Sequence, residues 1–354
     1  MVPRAAGGVL YTFPMLDLHD IACALVAPGK GILAADESNE SADKRLTAYG
    51  IPTGPEMRRT DRDIFLATAG IEEYLSGVIL YKETLDQTDN ADGLPSKDVD
   101  HLPFAELLEK RGIQAGIKVD EGLDPFPGSP KETITKGLIG LDERLYLYKT
   151  RYGTTFTKWR ATVTIDGTEL PSQQAVHENA KRLASYAHLV QEAGMVPMLE
   201  PEVLLAGKHS RLRCREVLTQ TFQTLMAALE DQAVDLSGVI VKTSMALSGS
   251  ESGREDSPEE VAEDTLGALM EAIPATVPGI VFLSGGQSAD QATRNLAAIT
   301  KLAREKNAPW PLTFSYSRAL QDEALRTWAG KEENIPTARE AYLARLKAVA
   351  SALA

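Results

Sequence analysis

Residues 195–241, MVPMLEPEVLLAGKHSRLRCREVLTQTFQTLMAALEDQAVDLSGVIV, contain one strand–helix–strand unit. Residues 195–199 and 238–241 are apolar runs, the pattern of strands that are buried on both faces. Between them, apolar residues recur every three or four positions, as on one face of a helix: Cys214, Leu218, Phe222, Leu225 and Leu229. Because parallel strands need a crossover of this length, the segment predicts a βαβ unit.

Eight apolar runs of this kind occur along the chain, at similar intervals that each leave room for a helix and its loops. By residue number they are 31–35, 77–81, 113–119, 155–165, 195–199, 238–241, 279–283 and 312–316. Helical periodicity is also clear at Val176, Ala180, Leu183, Ala187 and Val190. Ser257 and Pro258 predict another helix start, because Ser is a good N-cap and Pro fits the first helical position.

Eight strands alternating with helices form either a closed barrel or a doubly wound sheet. No GxGxxG follows the first strand, and eight similar intervals without a linker favour the barrel. We therefore predict the α/β class and a single (β/α)8 TIM barrel domain over residues 1–354, with residues 1–20 and about 335–354 as extensions.

The charge balance argues against two classes of partner. Lys and Arg number 37 and Asp and Glu number 50, giving a net charge of −13 at pH 7, which opposes binding to nucleic acid or to an anionic membrane surface. No apolar run is long enough to span a membrane, the first residues do not resemble a secretory signal, and two cysteines cannot form a disulfide framework. We expect a cytoplasmic protein.

Charged residues stand at or just beyond the ends of the predicted strands, where the active sites of such barrels lie. Because burying an unpaired charge is costly in free energy, charged residues at these positions indicate either ion pairs or a functional site. They are Asp36, Glu37, Lys118, Lys158, Arg160, Glu200, Glu202, Lys242 and Arg318.

Lys242 has two interpretations. It is either a buried lysine paired with a carboxylate, or an amine nucleophile whose pKa is lowered by burial and by a second cation, for which Lys158 is the candidate. Three lysines at the ends of apolar strands, Lys118, Lys158 and Lys242, exceed what structural pairing usually requires. Their combination with strand-end carboxylates favours the nucleophile.

Glycines and hydroxyls at the ends of the last two strands indicate an anion site. The turn Ser284-Gly285-Gly286 ends one strand and opens a helix, so that backbone N–H groups converge on an anion. Ser315 and Arg318 follow at the next strand end, matching the phosphate site that barrels often build after strands seven and eight. The candidates for a second anionic site across the mouth are Ser41, Arg45 and Lys118.

Two further features are interpreted as structural. The five histidines are scattered and form neither an HxH nor an HExxH pattern, so we expect no metal site. The acidic stretch from Ser248 to Asp264 is expected to be a solvated loop that runs into a helix.

Seven motifs resemble those of class I fructose 1,6-bisphosphate aldolases, in that family's order and over nearly the whole chain. They are GKGILAADES (29–38), GIKVD (116–120), FTKWR (156–160), VPMLEPEV (196–203), VKTSM (241–245), FLSGGQS (282–288) and FSYSRALQ (314–321). The resemblance implies a (β/α)8 barrel, usually a homotetramer. It also implies reversible cleavage of fructose 1,6-bisphosphate to dihydroxyacetone phosphate and glyceraldehyde 3-phosphate, without a metal or other cofactor.

The resemblance gives five residues catalytic roles. Lys242 in VKTSM attacks the C2 ketone to form the Schiff base. Glu200 is the general acid/base for carbinolamine dehydration, and Glu202 supports it. Asp36 accepts the proton of the C4 hydroxyl, and Lys158 keeps Lys242 nucleophilic.

By the same resemblance, two groups of residues hold the phosphates. The C1 phosphate is held by Ser284, Gly285, Gly286, Ser315 and Arg318. The C6 phosphate faces Ser41, Arg45 and Lys118. Arg160 is a secondary candidate. Ser317 stands where the family pattern has Gly, so we expect an altered backbone approach to the C1 phosphate, with the Ser317 N–H still able to donate.

A second departure concerns the last residues. The animal enzymes of the family end in a tyrosine that assists enamine protonation, whereas this sequence ends in Ala354 and its last tyrosine is Tyr342. We expect slower proton exchange on dihydroxyacetone phosphate relative to cleavage.

Two alternative functions stay open. The same lysine chemistry suits sedoheptulose 1,7-bisphosphate or fructose 1-phosphate, although the candidate C6-phosphate residues favour a bisphosphate. A non-catalytic scaffold that binds sugar phosphates is the third possibility, and the presence of all the catalytic candidates together argues against it.

Overall fold

The computed structural model describes residues 17–89 and 101–354. Its strands are β1 (Gly31–Ala35), β2 (Leu75–Leu80), β3 (Gln114–Lys118), β4 (Leu123–Phe126), β5 (Ser129–Thr135), β6 (Phe156–Val163), β7 (Val196–Val203), β8 (Ile240–Thr243), β9 (Ile280–Phe282) and β10 (Leu312–Tyr316). Eight of them close into a barrel in the order β1-β10-β9-β8-β7-β6-β3-β2, and every neighbouring pair is parallel. The predicted (β/α)8 barrel is confirmed.

Helices lie between the barrel strands and also before the first and after the last of them. They are α1 (Leu18–Leu25), α2 (Asn39–Ala48), α3 (Pro55–Leu66), α4 (Lys82–Leu85), α5 (Phe104–Lys110), α6 (Leu141–Tyr152), α7 (Gln173–Glu192), α8 (Arg211–Asp231), α9 (Pro258–Ala272), α10 (Ala289–Glu305), α11 (Arg318–Trp328) and α12 (Ile335–Ser351). The predicted start of α9 is confirmed, since Ser257 and Glu260 form a capping box. Within the two described ranges, no helix has the length and apolar character that a membrane crossing requires.

The predicted apolar runs match the barrel strands, with two differences. Strand β7 continues to Val203, so Glu200 and Glu202 lie within the strand and are held by its ladder with β6. The antiparallel hairpin of β4 and β5 is not predicted from the sequence, because β4 contains Pro125 and much of the hairpin is polar and exposed.

Apolar side chains fill the barrel, and α1 covers its amino-terminal end. Ile21 and Leu25 of α1 pack in one buried cluster with barrel residues that include Ile32 and Phe156. Gly116 leaves room for the Phe156 ring, since an added Cβ at that glycine would lie 2.3 Å from it. The packed interior fixes the strands and places their carboxyl ends at the opposite, open end.

Only one of the two predicted extensions lies wholly within the described residues. Residues 1–16 lie outside the described residues, and residue 20 falls within α1. Residues 335–351 form α12, whose Tyr342, Leu346 and Val349 are fully buried, and Tyr342 packs edge-on against Phe65 of α3. This terminal helix is part of the packed outer layer.

The expectation of a solvated acidic loop is wrong for two of its residues. Asp256 accepts hydrogen bonds from the backbone N and Oγ of Ser248 at 2.6 and 2.9 Å, and Asp264 pairs with Arg211 and Arg215. Arg211 also lies 3.4 Å from Asp256. Both carboxylate side chains are thus buried and paired with arginines, Asp256 also with Arg254, while Glu251, Glu255, Glu259 and Glu263 are exposed as expected.

Candidate active site

A cavity of about 870 Å³ lies at the carboxyl ends of the barrel strands. All the predicted site residues line it except Gly286, which lies in the turn just after Gly285. They are Asp36, Ser41, Arg45, Lys118, Lys158, Arg160, Glu200, Glu202, Lys242, Ser284, Gly285, Ser315, Ser317 and Arg318. Within the described ranges, no three His, Cys, Asp or Glu side chains are grouped so as to hold a metal ion.

Glu200 joins two lysines at the centre of the cavity. Its Oε1 lies 3.2 Å from Nζ of Lys242, and its Oε2 lies 2.5 Å from Nζ of Lys158. Lys158 also donates a 3.0 Å hydrogen bond to Oδ2 of Asp36. The side chains of Glu200 and both lysines are no more than 5% exposed. Strands β1, β6, β7 and β8 thus bring four predicted residues into one buried cluster of alternating charge.

Burial sets the protonation of this cluster. Burial lowers the pKa of Lys242, and the nearby Arg160 guanidinium lowers it further. The pKa of Lys158 is also lowered by burial, with Lys242 adding to the effect. Burial opposes ionisation of Asp36, but the charges of Lys158, Lys242 and Lys118 outweigh it and lower the pKa of Asp36 to about 2. The site therefore combines an ionised carboxylate with an amine that loses its proton more easily than a free lysine.

Two ion pairs flank the central cluster. Arg160 binds Glu202 through Nε, and Nζ of Lys118 lies 3.0 Å from Oδ1 of Asp120. The second oxygen of Asp120 accepts a 3.3 Å hydrogen bond from the backbone N of Arg160. Glu202 thus holds an arginine, whereas Glu200 contacts the lysines, so the two carboxylates of the VPMLEPEV motif have different environments.

The end of the cavity beside β9 and β10 offers donors that have no partner among the residues that the structure describes. Oγ of Ser315 is buried without a hydrogen-bond partner, and Arg318 is exposed and forms no ion pair with any described residue. Gly285 and Gly286 have φ values of +57° and +92°, a conformation that favours glycine. This end has the free hydroxyl, guanidinium and backbone turn that an anion site needs.

Arg45 of α2 lies beside this end, since it and Ser317 contact the same oxygen of Gln321, and it is already ion-paired. Nη2 of Arg45 lies 3.0 Å from both Glu37 and Asp61, and its Nη1 donates to Gln321. Burial raises the pKa of Glu37 despite the arginine. Ser41, beside them, accepts a 3.0 Å hydrogen bond from Ser38. An anion bound here competes with Glu37 and Asp61 for Arg45.

Several residues of the site have no role that is predicted from the sequence. The sequence does contain a sign that Asp120 belongs to the site, since it stands two positions after Lys118 and side chains two positions apart in a strand face the same way. Glu37 also has one, as a strand-end carboxylate beside Asp36. Asp61 of α3 and Gln321 of α11 have none, because only the folded barrel brings these helices to Arg45.

Comparisons with known proteins agree on one family. Residues 17–354 match the family model described as glycolytic, fructose-bisphosphate aldolase class-I. The chain is 46% identical over 321 residues to cytosolic fructose-bisphosphate aldolase 6 of Arabidopsis thaliana, covering 91% of this chain and 86% of that protein. It is 46% identical over 312 residues to a probable class 1 fructose-bisphosphate aldolase of Xanthomonas axonopodis pv. citri, covering 88% and 89% of the two chains.

A solved structure extends the similarity to the fold. The Plasmodium falciparum fructose-bisphosphate aldolase, crystallised with TRAP and a small molecule inhibitor, superimposes with a TM-score of 0.89. It is 39% identical in sequence, and the match covers 95% of this chain and 93% of that one. With the barrel and the lysine–glutamate cluster described above, these matches show that the chain belongs to the class I fructose-bisphosphate aldolase family.

Proposed function

We propose that the chain reversibly cleaves fructose 1,6-bisphosphate to dihydroxyacetone phosphate and glyceraldehyde 3-phosphate through a Schiff base on Lys242, without a metal. The observation that carries this proposal is the contact between Glu200 Oε1 and Lys242 Nζ at 3.2 Å, in the open end of the barrel. A buried amine of lowered pKa beside a carboxylate is the arrangement that carbonyl attack needs.

The first half of the reaction builds the iminium ion. Neutral Lys242 attacks the C2 ketone and gives a carbinolamine. Glu200 then protonates the C2 hydroxyl, which leaves as water. Lys158, held between Glu200 and Asp36, offsets the negative charge of both carboxylates.

The second half breaks the C3–C4 bond. Asp36, whose pKa of about 2 keeps it ionised at neutral pH, accepts the proton of the C4 hydroxyl. The electrons of the C3–C4 bond then move toward the iminium nitrogen, so glyceraldehyde 3-phosphate leaves and an enamine remains on Lys242. Protonation of the enamine at C3 and hydrolysis release dihydroxyacetone phosphate.

Two groups of residues in the cavity lining suit the two phosphates of such a substrate. The partnerless donors near β9 and β10 support a C1-phosphate site at Ser284, Gly285, Gly286, Ser315 and Arg318, with the Ser317 N–H as a further donor. Ser41, Arg45 and Lys118 also line the cavity and form the proposed C6-phosphate site, with Arg160 as a secondary candidate for it.

The setting of the enzyme is part of the proposal. We propose one domain, a homotetrameric assembly and a cytoplasmic location. Several similar proteins are named as cytosolic or cytoplasmic, including those of Arabidopsis thaliana and Spinacia oleracea. The homotetramer rests on the family resemblance of the sequence motifs alone.

The direct test is a coupled assay of cleavage in the presence of EDTA. Fructose 1,6-bisphosphate, sedoheptulose 1,7-bisphosphate and fructose 1-phosphate are compared, with dihydroxyacetone phosphate measured as it forms. We expect turnover that EDTA does not reduce, and fastest for a bisphosphate because both anion sites are then filled. Binding of all three sugars without turnover, by folded protein, would overturn the proposal in favour of a scaffold.

A further inference from the structure

Two buried amide side chains lie behind the turn at the end of β9. Gln287 donates from Nε2 to the carbonyl oxygen of Ser284 at 3.0 Å, and its backbone N donates to the same oxygen at 3.0 Å. Asn295 of α10, only 1% exposed, donates from Nδ2 to Oε1 of Gln287 at 2.6 Å. The two amides connect the body of α10 to the turn that carries Gly285.

The double hydrogen bond fixes the direction of one peptide group. Because the Ser284 carbonyl points toward Gln287 and a trans peptide is planar, the N–H of Gly285 points the opposite way. Gly285 lines the cavity, and its N–H has no partner among the described residues. Holding the Ser284 carbonyl therefore presents one backbone donor to a ligand in the cavity.

Asn295 decides which end of the Gln287 amide faces Ser284. A side-chain amide has a donor end and an acceptor end, and the Asn295 donor is satisfied only by the oxygen. The nitrogen of Gln287 is thereby left to face the Ser284 carbonyl. With the amide reversed, two oxygens would face each other in a buried place where the contact is costly.

We propose that Asn295 is a positioning residue: through Gln287 it holds the Ser284–Gly285 peptide so that the Gly285 N–H donates to the phosphate on C1 of the substrate. This role rests on the proposed function, because it assigns the phosphate to this end of the cavity. Asn295 itself does not line the cavity, and Gln287 lies between it and Ser284.

The test is Asn295→Asp, which keeps the shape of the side chain and removes its donor. The aspartate accepts a hydrogen bond from the Gln287 amide nitrogen, so the Gln287 amide reverses. Its hydrogen bond to the Ser284 carbonyl oxygen is then lost. We expect the KM for dihydroxyacetone phosphate in the condensation direction to rise about tenfold, as for loss of one charge-assisted hydrogen bond. The KM for glyceraldehyde 3-phosphate is expected to change less than about twofold, because its phosphate is assigned to Ser41, Arg45 and Lys118 and not to the Gly285 N–H.

Two further variants separate positioning from folding. Asn179→Asp is the matched control: Asn179 is buried on α7 and donates from Nδ2 to the Thr133 carbonyl at 2.7 Å, and it does not line the cavity. It is expected to leave the ratio of the two KM values unchanged. Gln287→Met keeps the bulk of the side chain and lacks the donor. It is expected to raise the KM for dihydroxyacetone phosphate selectively, as Asn295→Asp does, and it replaces that variant in the test if Asn295→Asp does not fold.

Binding of inorganic phosphate, measured by calorimetry, gives a readout that does not depend on turnover. We expect Asn295→Asp to bind phosphate more weakly than the parent protein and Asn179→Asp to bind it equally well. Equal increases in both KM values, or unchanged phosphate affinity in folded Asn295→Asp and Gln287→Met, would overturn the role. A parent protein that binds phosphate but does not condense the trioses would instead contradict the proposed function.

Discussion

Oε1 of Glu200 lies 3.2 Å from Nζ of Lys242, and both side chains are almost entirely shielded from water. A buried lysine beside a carboxylate is by itself a common structural pair. Here the second oxygen of the same carboxylate contacts Lys158, which in turn binds Asp36. One glutamate therefore contacts two lysines, an arrangement that a simple ion pair does not require and that the proposed proton transfers would use.

Replacing Glu200 by Gln is expected to slow cleavage of fructose 1,6-bisphosphate about 10²- to 10⁴-fold, the usual effect of losing a general acid/base. Glutamine keeps the contact to Lys242 and loses the proton transfer. Glu202→Gln is the matched comparison. Because Glu202 binds Arg160, we expect this substitution to slow cleavage less than Glu200→Gln does. A larger loss in Glu202→Gln than in Glu200→Gln, measured on folded proteins, would reverse the two roles.

Arg160→Gln is expected to raise the pKa of Lys242. Burial lowers that pKa, the Arg160 guanidinium lowers it further, and the Glu202 carboxylate acts in the opposite direction. Removing the guanidinium takes away a repulsion and frees Glu202, so both changes favour the charged amine. The pH midpoint for trapping Lys242 with borohydride and dihydroxyacetone phosphate should move upward.

The control for this shift is Lys131→Gln. Lys131 is an exposed cation of β5 that pairs with Asp166 and does not line the cavity. It should leave the trapping midpoint where it is in the parent protein. A downward shift in Arg160→Gln would contradict the assigned electrostatics.

Asp36 is expected to stabilise the fold in a pH-dependent way. Its pKa of about 2 lies below the ordinary value of about 3.9, so the unfolded chain binds more protons between these values. The contribution to the free energy of unfolding is complete above about pH 4 and is lost as the pH falls toward about 2. Urea unfolding should therefore show that the free energies of unfolding of Asp36→Asn and the parent protein become more similar as the pH falls from about 4 to about 2. A difference that grows as the pH falls would contradict the lowered pKa of Asp36.

Ser317 is expected to be accommodated where the family pattern has glycine. Its φ of −110° lies outside the left-handed region, and its Oγ donates to Oε1 of Gln321 at 3.3 Å. Ser317→Gly should lower the free energy of unfolding by about 1 kcal/mol through the lost hydrogen bond and the added chain entropy. The KM for fructose 1,6-bisphosphate should stay within about threefold, because the backbone N–H is unchanged. A more stable glycine variant in urea unfolding would mean that the serine is strained.

The barrel and most of the site are predictable from the sequence because they depend on local patterns. Apolar runs mark the strands, and their ends mark the site, so Lys242 and Glu200 are found without knowledge of the fold's details. Gln287 is different: it lies within a recognised motif, but its role depends on Asn295, which faces it only once α10 has packed against the turn.

Polar surface elements and ion-pair networks are the parts that sequence patterns miss. The hairpin of β4 and β5 is not apolar enough to be recognised as strands. Asp264 looks like one acidic residue among many, yet it is buried because Arg211 and Arg215 of α8 reach it. Such pairings are set by the packing of helices distant in sequence.

The most direct test of the central claim is reduction with borohydride in the presence of dihydroxyacetone phosphate and EDTA, followed by peptide mass spectrometry. A covalent triose adduct on Lys242, formed at full yield despite the chelator, is the result that the account predicts. Lys242→Met, folded and able to bind the ligand, should give no adduct at any lysine. An adduct on Lys158 instead, or none in folded parent protein with the ligand bound, would contradict Lys242 as the Schiff-base lysine.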